Sequence, residues 1–120
     1  MAGTTLTGLS RIRAAAANSV AGFRATWKHE EAFRQEVLLL VVALPLSFLV
    51  GDTAVERLLL IAVVVLLMIV ELLNTAIETV VDRVGLERHK LSGRAKDQAS
   101  AAVLLAMVVA GGTWLVLLIC

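Results

Sequence analysis

The chain has one cysteine, one proline and no tyrosine. A lone Cys120 excludes an intrachain disulfide and any cysteine-based zinc cluster. Three phosphate- and metal-binding signatures are also missing: a glycine-rich dinucleotide fingerprint, a GxxxxGK[ST] loop and an HExxH helix. Phosphate chemistry, if present, must therefore be assembled from acidic side chains, basic side chains and a metal. Net charge is scarce as well; a balance of +1 gives no argument for nucleic acid. What the chain has in excess is apolar surface. Of its 120 residues 59% are hydrophobic and the mean hydropathy is +0.89, more than a soluble domain of this length carries, which places it in the membrane class. A chain this short does not enclose a polar site by itself, so oligomerisation is expected.

Three apolar segments carry that excess. Val37–Val50 covers roughly 21 Å as a helix and must borrow residues from Ala32 onward to cross about 30 Å of hydrocarbon. Leu58–Val81 is long enough alone, and Ala99–Cys120 has no charge. Residues 6–28 differ: Leu6, Leu9, Ile12, Ala16, Val20, Phe23 and Trp27 recur at three- and four-residue steps, with four basic residues and no acid. That pattern predicts an amphipathic helix lying on an anionic leaflet. Without a continuous apolar h-region it does not read as a signal peptide; its basic, acid-poor character leaves a transit peptide as a rival. The expected fold is an all-α membrane protein in a single domain. It has a surface helix at 6–28, transmembrane helices at 32–50, 57–82 and 98–120, and a loop at 83–97. Pro45 falls inside the first span, where it is expected to kink the helix while neighbouring helices compensate the lost hydrogen bond.

The basic residues orient this layout. Arg57 flanks the short hairpin Gly51–Glu56, whereas the other ten of the eleven lie on the opposite side. The positive-inside rule puts the N-terminus and the 83–97 loop in the cytoplasm and the C-terminus across the membrane.

Within this frame Glu71 is the anomaly. It ends the uncharged run Leu58–Val70 and is followed by Asn74, Thr75, Glu78 and Asp82. At about 100° per residue, Glu71, Thr75, Glu78 and Asp82 share an arc of about 60°, with Asn74 at its edge. A carboxylate at bilayer depth is costly and reads first as a functional site. Counted from Arg57, Glu71 lies about 21 Å along the helix and Glu78 about 31 Å, near the inner boundary. Such a seam suits a base that deprotonates a lipid hydroxyl beside a charged, water-soluble reactant. Interhelical hydrogen bonding is the structural alternative.

Two further groups face the same boundary. In Glu30-Glu31-Ala32-Phe33-Arg34-Gln35-Glu36, Glu30 stands at a depth similar to Glu78, and the two can share Mg²⁺ with substrate phosphates; an intrahelical Glu30–Arg34 pair is the plainer reading. In Glu87-Arg88-His89-Lys90-Leu91-Ser92-Gly93-Arg94-Ala95-Lys96-Asp97, cations around Ser-Gly can wrap a polyphosphate. Arg94 and Lys96 would offset charge there, and Gly93 would allow close approach. An ordinary positive-inside loop has the same composition. Ala102, Ala106 and Ala110 form a small-residue stripe for helix packing, and Trp27 and Trp114 read as interfacial anchors.

The segment Glu71-Leu72-Leu73-Asn74-Thr75-Ala76-Ile77-Glu78-Thr79-Val80-Val81-Asp82 resembles the signature of the small prokaryotic diacylglycerol kinases. Glu31-Ala32-Phe33-Arg34-Gln35-Glu36 and Ser92-Gly93-Arg94-Ala95-Lys96-Asp97 are similar to two further family blocks, and the resemblance covers nearly the whole chain. It implies a homotrimeric inner-membrane enzyme with composite sites that phosphorylates diacylglycerol with Mg·ATP to phosphatidic acid, recycling lipid. It further implies Glu71 as catalytic base and Glu30 and Glu78 as metal ligands that also face the nucleotide. Glu87, Arg88, His89, Lys96 and Asp97 would contact the nucleotide, and Arg11, Ser19, Arg34, Gln35 and Ser100 the lipid, with Asn74, Asp82, Gly93 and Arg94 in support. Asn18 stands near the nucleotide where relatives carry an aromatic, and Glu31 adds a charge where a small residue is common. A polyprenol such as undecaprenol is the alternative acceptor. A non-catalytic membrane scaffold whose polar seam specifies assembly is the alternative from another class.

Overall fold

The computed structural model describes residues 7–120; Leu6, the first residue of the expected surface stripe, lies outside them. Four α-helices follow in order: α1 (Gly8–His29), α2 (Glu31–Val50), α3 (Ala54–Val84) and α4 (Lys90–Ile119). Among the described residues there is no strand. Helices α2, α3 and α4 are each long and apolar enough to cross a membrane. With 31 and 30 residues, α3 and α4 run about 45 Å each, well beyond the hydrocarbon thickness. Their surplus falls at the end of α3 and the start of α4, where the charged residues are.

The core lies along α3. Leu60, Val63, Val64 and Leu67 are buried, and α3 packs against α4 and, on another side, α2. Its neighbours meet it with small side chains: Ala43 and Ser47 from α2, and Ala99, Ala106 and Ala110 from α4. Association between apolar helices in lipid depends on close van der Waals approach, and small residues permit it. The buried alanine row therefore runs 99, 106 and 110; Ala102, expected in it, is exposed. The outward faces keep large apolar side chains such as Leu49, Leu58, Leu105 and Leu118, as lipid contact requires.

Each connection is explained by its caps. Gly51–Thr53 alone joins α2 to α3, because Thr53 starts α3 earlier than position 57. Thr53 Oγ1 accepts the Glu56 N–H at 3.1 Å, and Glu56 Oε1 accepts the Asp52 N–H at 3.1 Å, a capping-box arrangement with its return bond one residue early. Arg57 folds back over this turn: its Nε donates to the Gly51 carbonyl at 3.2 Å and its guanidinium lies 5.2 Å from the Phe48 ring centroid. Gly51 is buried beneath it, and a Cβ there would sit 2.9 Å from Arg57 Cγ and 3.0 Å from the Ser47 carbonyl oxygen. Helix α2 is continuous across Pro45, and Ser47 Oγ donates to the Leu44 carbonyl at 2.7 Å.

At the opposite end the chain turns from α1 into α2 at Glu30, whose backbone is extended. Arg34 Nη1 donates to the carbonyls of Trp27 at 2.6 Å and Lys28 at 3.4 Å. A cation there satisfies the last carbonyls of α1 and its negative helix end; the expected Glu30–Arg34 pair gives way to this bond. Phe23 stacks on Phe33 with centroids 6.4 Å apart, holding α1 against α2.

The largest departure from the sequence reading is in the 83–97 loop. His89 Nδ1 accepts the Leu91 N–H at 3.0 Å, so α4 begins at Lys90, not at 98. Residues 90–97 contain no proline to resist this cap. Ser92, Gly93, Arg94, Lys96 and Asp97 are thus helical, and no loop wraps through Gly93. Trp114 also bonds within the bundle: its Nε1 donates to the Leu60 carbonyl at 3.0 Å, one turn from Arg57, tying α4 to α3.

Candidate active site

The helical period of α3 sets the site. Glu71 is buried, only 5% exposed, on the same face as Leu60, Val64 and Leu67. Glu78 and Asn74 are half-buried one to two turns on, and Asp82 is exposed at the helix end. Asn74 Nδ2 donates to Glu78 Oε1 at 2.8 Å, leaving Asn74 Oδ1 buried with no partner. Glu30, half-buried at the α1–α2 joint, lines one cleft with Leu72, Thr75, Ala76 and Thr79 of α3. The break between α1 and α2 has delivered a carboxylate to the side of α3, beside the turns that run from Glu71 to Glu78.

Another acid is buried on the neighbouring helix. Glu36 lies on α2, and its Oε1 has no hydrogen-bond partner. Glu36 is not among the sequence-predicted site residues. A usable signal was present: its helical neighbours at three and four residues are Ala32, Phe33, Leu39 and Leu40, so no intrahelical cation can pair with it. An acid in that position needs a partner from another helix or a ligand.

The cations gather one level out. Lys96 Nζ binds Asp82 Oδ1 at 2.8 Å across the α3–α4 connection, with both side chains close to half exposed. Around this pair Glu87, Arg88, His89, Lys90 and Gly93 line an open basin of about 440 Å³. On the next face Arg94 and Asp97 line a second shallow depression with His89 and Lys90. A third cleft of about 530 Å³ opens between α1 and α3, walled by Gly22, Ala25 and Thr26 on one side and Leu72, Thr75 and Ala76 on the other, with Glu30 at its edge.

The remaining predicted residues are placed apart from these groups. The α1 wall of the cleft starts at Gly22, so Arg11, Asn18 and Ser19 stand outside its lining on the exposed surface of α1; Ser19 Oγ donates to the Ala15 carbonyl at 2.8 Å. Gln35 and Ser100 are exposed on α2 and α4. Arg34 is occupied with the α1 carbonyls.

Among the described residues no three His, Cys, Asp or Glu side chains come close enough to cage a metal. The donors available near Glu71 are carboxylate oxygens, hard ligands of the kind Mg²⁺ prefers. That ion ordinarily takes one or two carboxylates and completes its shell from substrate phosphates and water. Glu30 and Glu78 fit such a share.

Residues 17–118 match the family described as prokaryotic diacylglycerol kinase. The chain is 54% identical over 112 residues to a diacylglycerol kinase of Escherichia coli, spanning 93% of this chain and 92% of that protein. A diacylglycerol kinase of Pseudomonas aeruginosa is 54% identical over 113 residues, spanning 94% and 92%. One of Haemophilus influenzae is 48% identical over 108 residues, spanning 90% and 92%.

Proposed function

Because the chain belongs to the prokaryotic diacylglycerol kinase family, we propose that it transfers the γ-phosphoryl group of ATP to the hydroxyl of diacylglycerol, giving phosphatidic acid at the membrane surface. The observation that carries this reading is the buried Glu71 on the face of α3 that runs on to Glu78 and Asp82 and ends beside a basin of cations. Phosphoryl transfer asks for positioning and charge neutralisation more than covalent chemistry, and these two groups of residues divide that work.

Glu71 is the base that accepts the proton of the lipid hydroxyl as its oxygen attacks the γ-phosphorus. Asn74 fixes the Glu78 carboxylate by its 2.8 Å bond. Glu30 and Glu78 would hold Mg²⁺, which would neutralise phosphate charge when bound. Arg88, His89 and Asp97 contact the nucleotide with Glu87. Lys96, released from Asp82, supplies a cation to the leaving phosphates, while Arg94 and Gly93 support that wall. Arg11, Ser19, Arg34, Gln35 and Ser100 serve the lipid side, and Asn18 the nucleotide side. The exposed positions among them are completed by neighbouring subunits of a homotrimer, since one copy leaves them on open surfaces. The charged ends of α3 and α4 face the cytoplasm of a bacterial inner membrane and the C-terminus the periplasm, as the ten-to-one division of basic residues requires.

Purified protein in mixed micelles, given labelled ATP with 1,2-diacylglycerol or undecaprenol in parallel, tests the reading. Label in phosphatidic acid is expected. Label confined to the polyprenol would reassign the acceptor, and label in neither would leave a membrane scaffold.

A further inference from the structure

The hydroxyl of Thr75, one turn from Glu71, is buried without a partner. Serine and threonine within helices commonly bond a carbonyl of their own preceding turn. Ser19, Thr26, Ser47, Thr79 and Thr113 do so at 2.7–3.0 Å. Thr75 does not: its Oγ1 is buried and has no hydrogen-bond partner. An unmade hydrogen bond at this depth is unfavourable and calls for a group that supplies it.

The surroundings indicate the kind of group. Thr75 stands in the wall of the α1–α3 cleft, whose lining, apart from His29 and Glu30 at the α1–α2 joint, is small, apolar or hydroxyl-bearing and includes no lysine or arginine. The basin at the α3–α4 connection, by contrast, offers Arg88, Lys90 and Lys96. A polyphosphate suits the basin, and a neutral amphiphile suits the cleft. Thr75 follows Glu71 by one turn on the same side of α3. Side chains four residues apart on a helix have Cβ atoms about 5–6 Å apart, so one oxygen placed between them reaches both.

Resting on the kinase reading above, we propose that Thr75 donates a hydrogen bond to the reacting hydroxyl oxygen of the lipid and holds it against Glu71. The lipid oxygen then accepts the Thr75 hydrogen bond on one lone pair and forms the O–P bond with the other. Its proton passes to Glu71. The bond from the γ-phosphorus to the bridging oxygen breaks, and its electron pair leaves with ADP. Thr75 thus positions the acceptor and favours a lipid alcohol, anchored by its chains in the cleft, over water.

Thr75→Val, close in shape but without the hydroxyl, and Thr75→Ser, which keeps it, test the assignment in the full chain in mixed micelles. Thr75→Val is expected to lower kcat/KM for diacylglycerol about 10-fold or more and to raise the ratio of ATP hydrolysed to lipid phosphorylated, with half-saturating ATP unchanged. Thr75→Ser should restore most of the lipid activity. An active wild type with an equally active Thr75→Val overturns this assignment alone. So does equal damage in both variants with altered ATP dependence, which marks a packing role. A wild type that phosphorylates no lipid overturns the kinase reading and this assignment together.

Discussion

Replacing Asn74 by leucine separates function from packing at the centre of the site. The Asn74 amide donates at 2.8 Å to Glu78 Oε1, while its own Oδ1 is buried without a partner. A hydrogen bond to a charged acceptor contributes about 1.5–3 kcal/mol, and an unsatisfied buried polar atom costs about 1–3 kcal/mol. Leucine removes both, so the two effects offset and the thermal midpoint should move little. Glu78, however, loses the group that orients it. If that orientation is used only when Mg·ATP is bound, the same 1.5–3 kcal/mol appears as about a 10- to 150-fold rise in half-saturating Mg·ATP. The assay is the initial rate of lipid phosphorylation across Mg·ATP concentrations, beside a thermal melt with and without Mg·ATP, which should show reduced ligand stabilisation. A large fall in the midpoint with Mg·ATP dependence unchanged would refute the reasoning, because the bond would then be interhelical glue.

Two more predictions concern the ends of the bundle. Gly51→Ala forces a Cβ against the Ser47 carbonyl and the Arg57 backbone and should cost about 1–3 kcal/mol, read as a lower thermal midpoint in detergent; an unchanged midpoint would show that the turn relaxes. Lys96→Met breaks an exposed ion pair and should leave the midpoint nearly unchanged. It should nevertheless lower turnover about 10²-fold if Lys96 serves the leaving phosphates, and full activity would confine Lys96 to its bond with Asp82.

The features the sequence made legible are those set by periodicity and hydropathy. Three long apolar runs are three helices, and the stripe Glu71, Glu78 is on one face of α3 because 3.6 residues per turn put it there. Features set by a single cap were hidden. The His89 side chain extends α4 by two turns and turns a supposed phosphate loop into helix, and Thr53 shortens the hairpin to three residues. Long-range pairings were hidden for a different reason. The bond of Trp114 to Leu60, 54 residues apart, and the burial of Glu36 depend on how α2 and α4 dock on α3, which no local pattern encodes. The family blocks identified the chain, while the cleft between α1 and α3 emerged only once the helices were placed.

The direct test of the account is lipid phosphorylation by Glu71→Gln, measured on protein whose thermal midpoint and Mg·ATP stabilisation are checked in the same preparation. A buried carboxylate that takes the acceptor's proton predicts a folded, nucleotide-binding protein with turnover down by about 10²-fold or more. Turnover near that of the unmodified protein would contradict it and remove Glu71 from the chemistry.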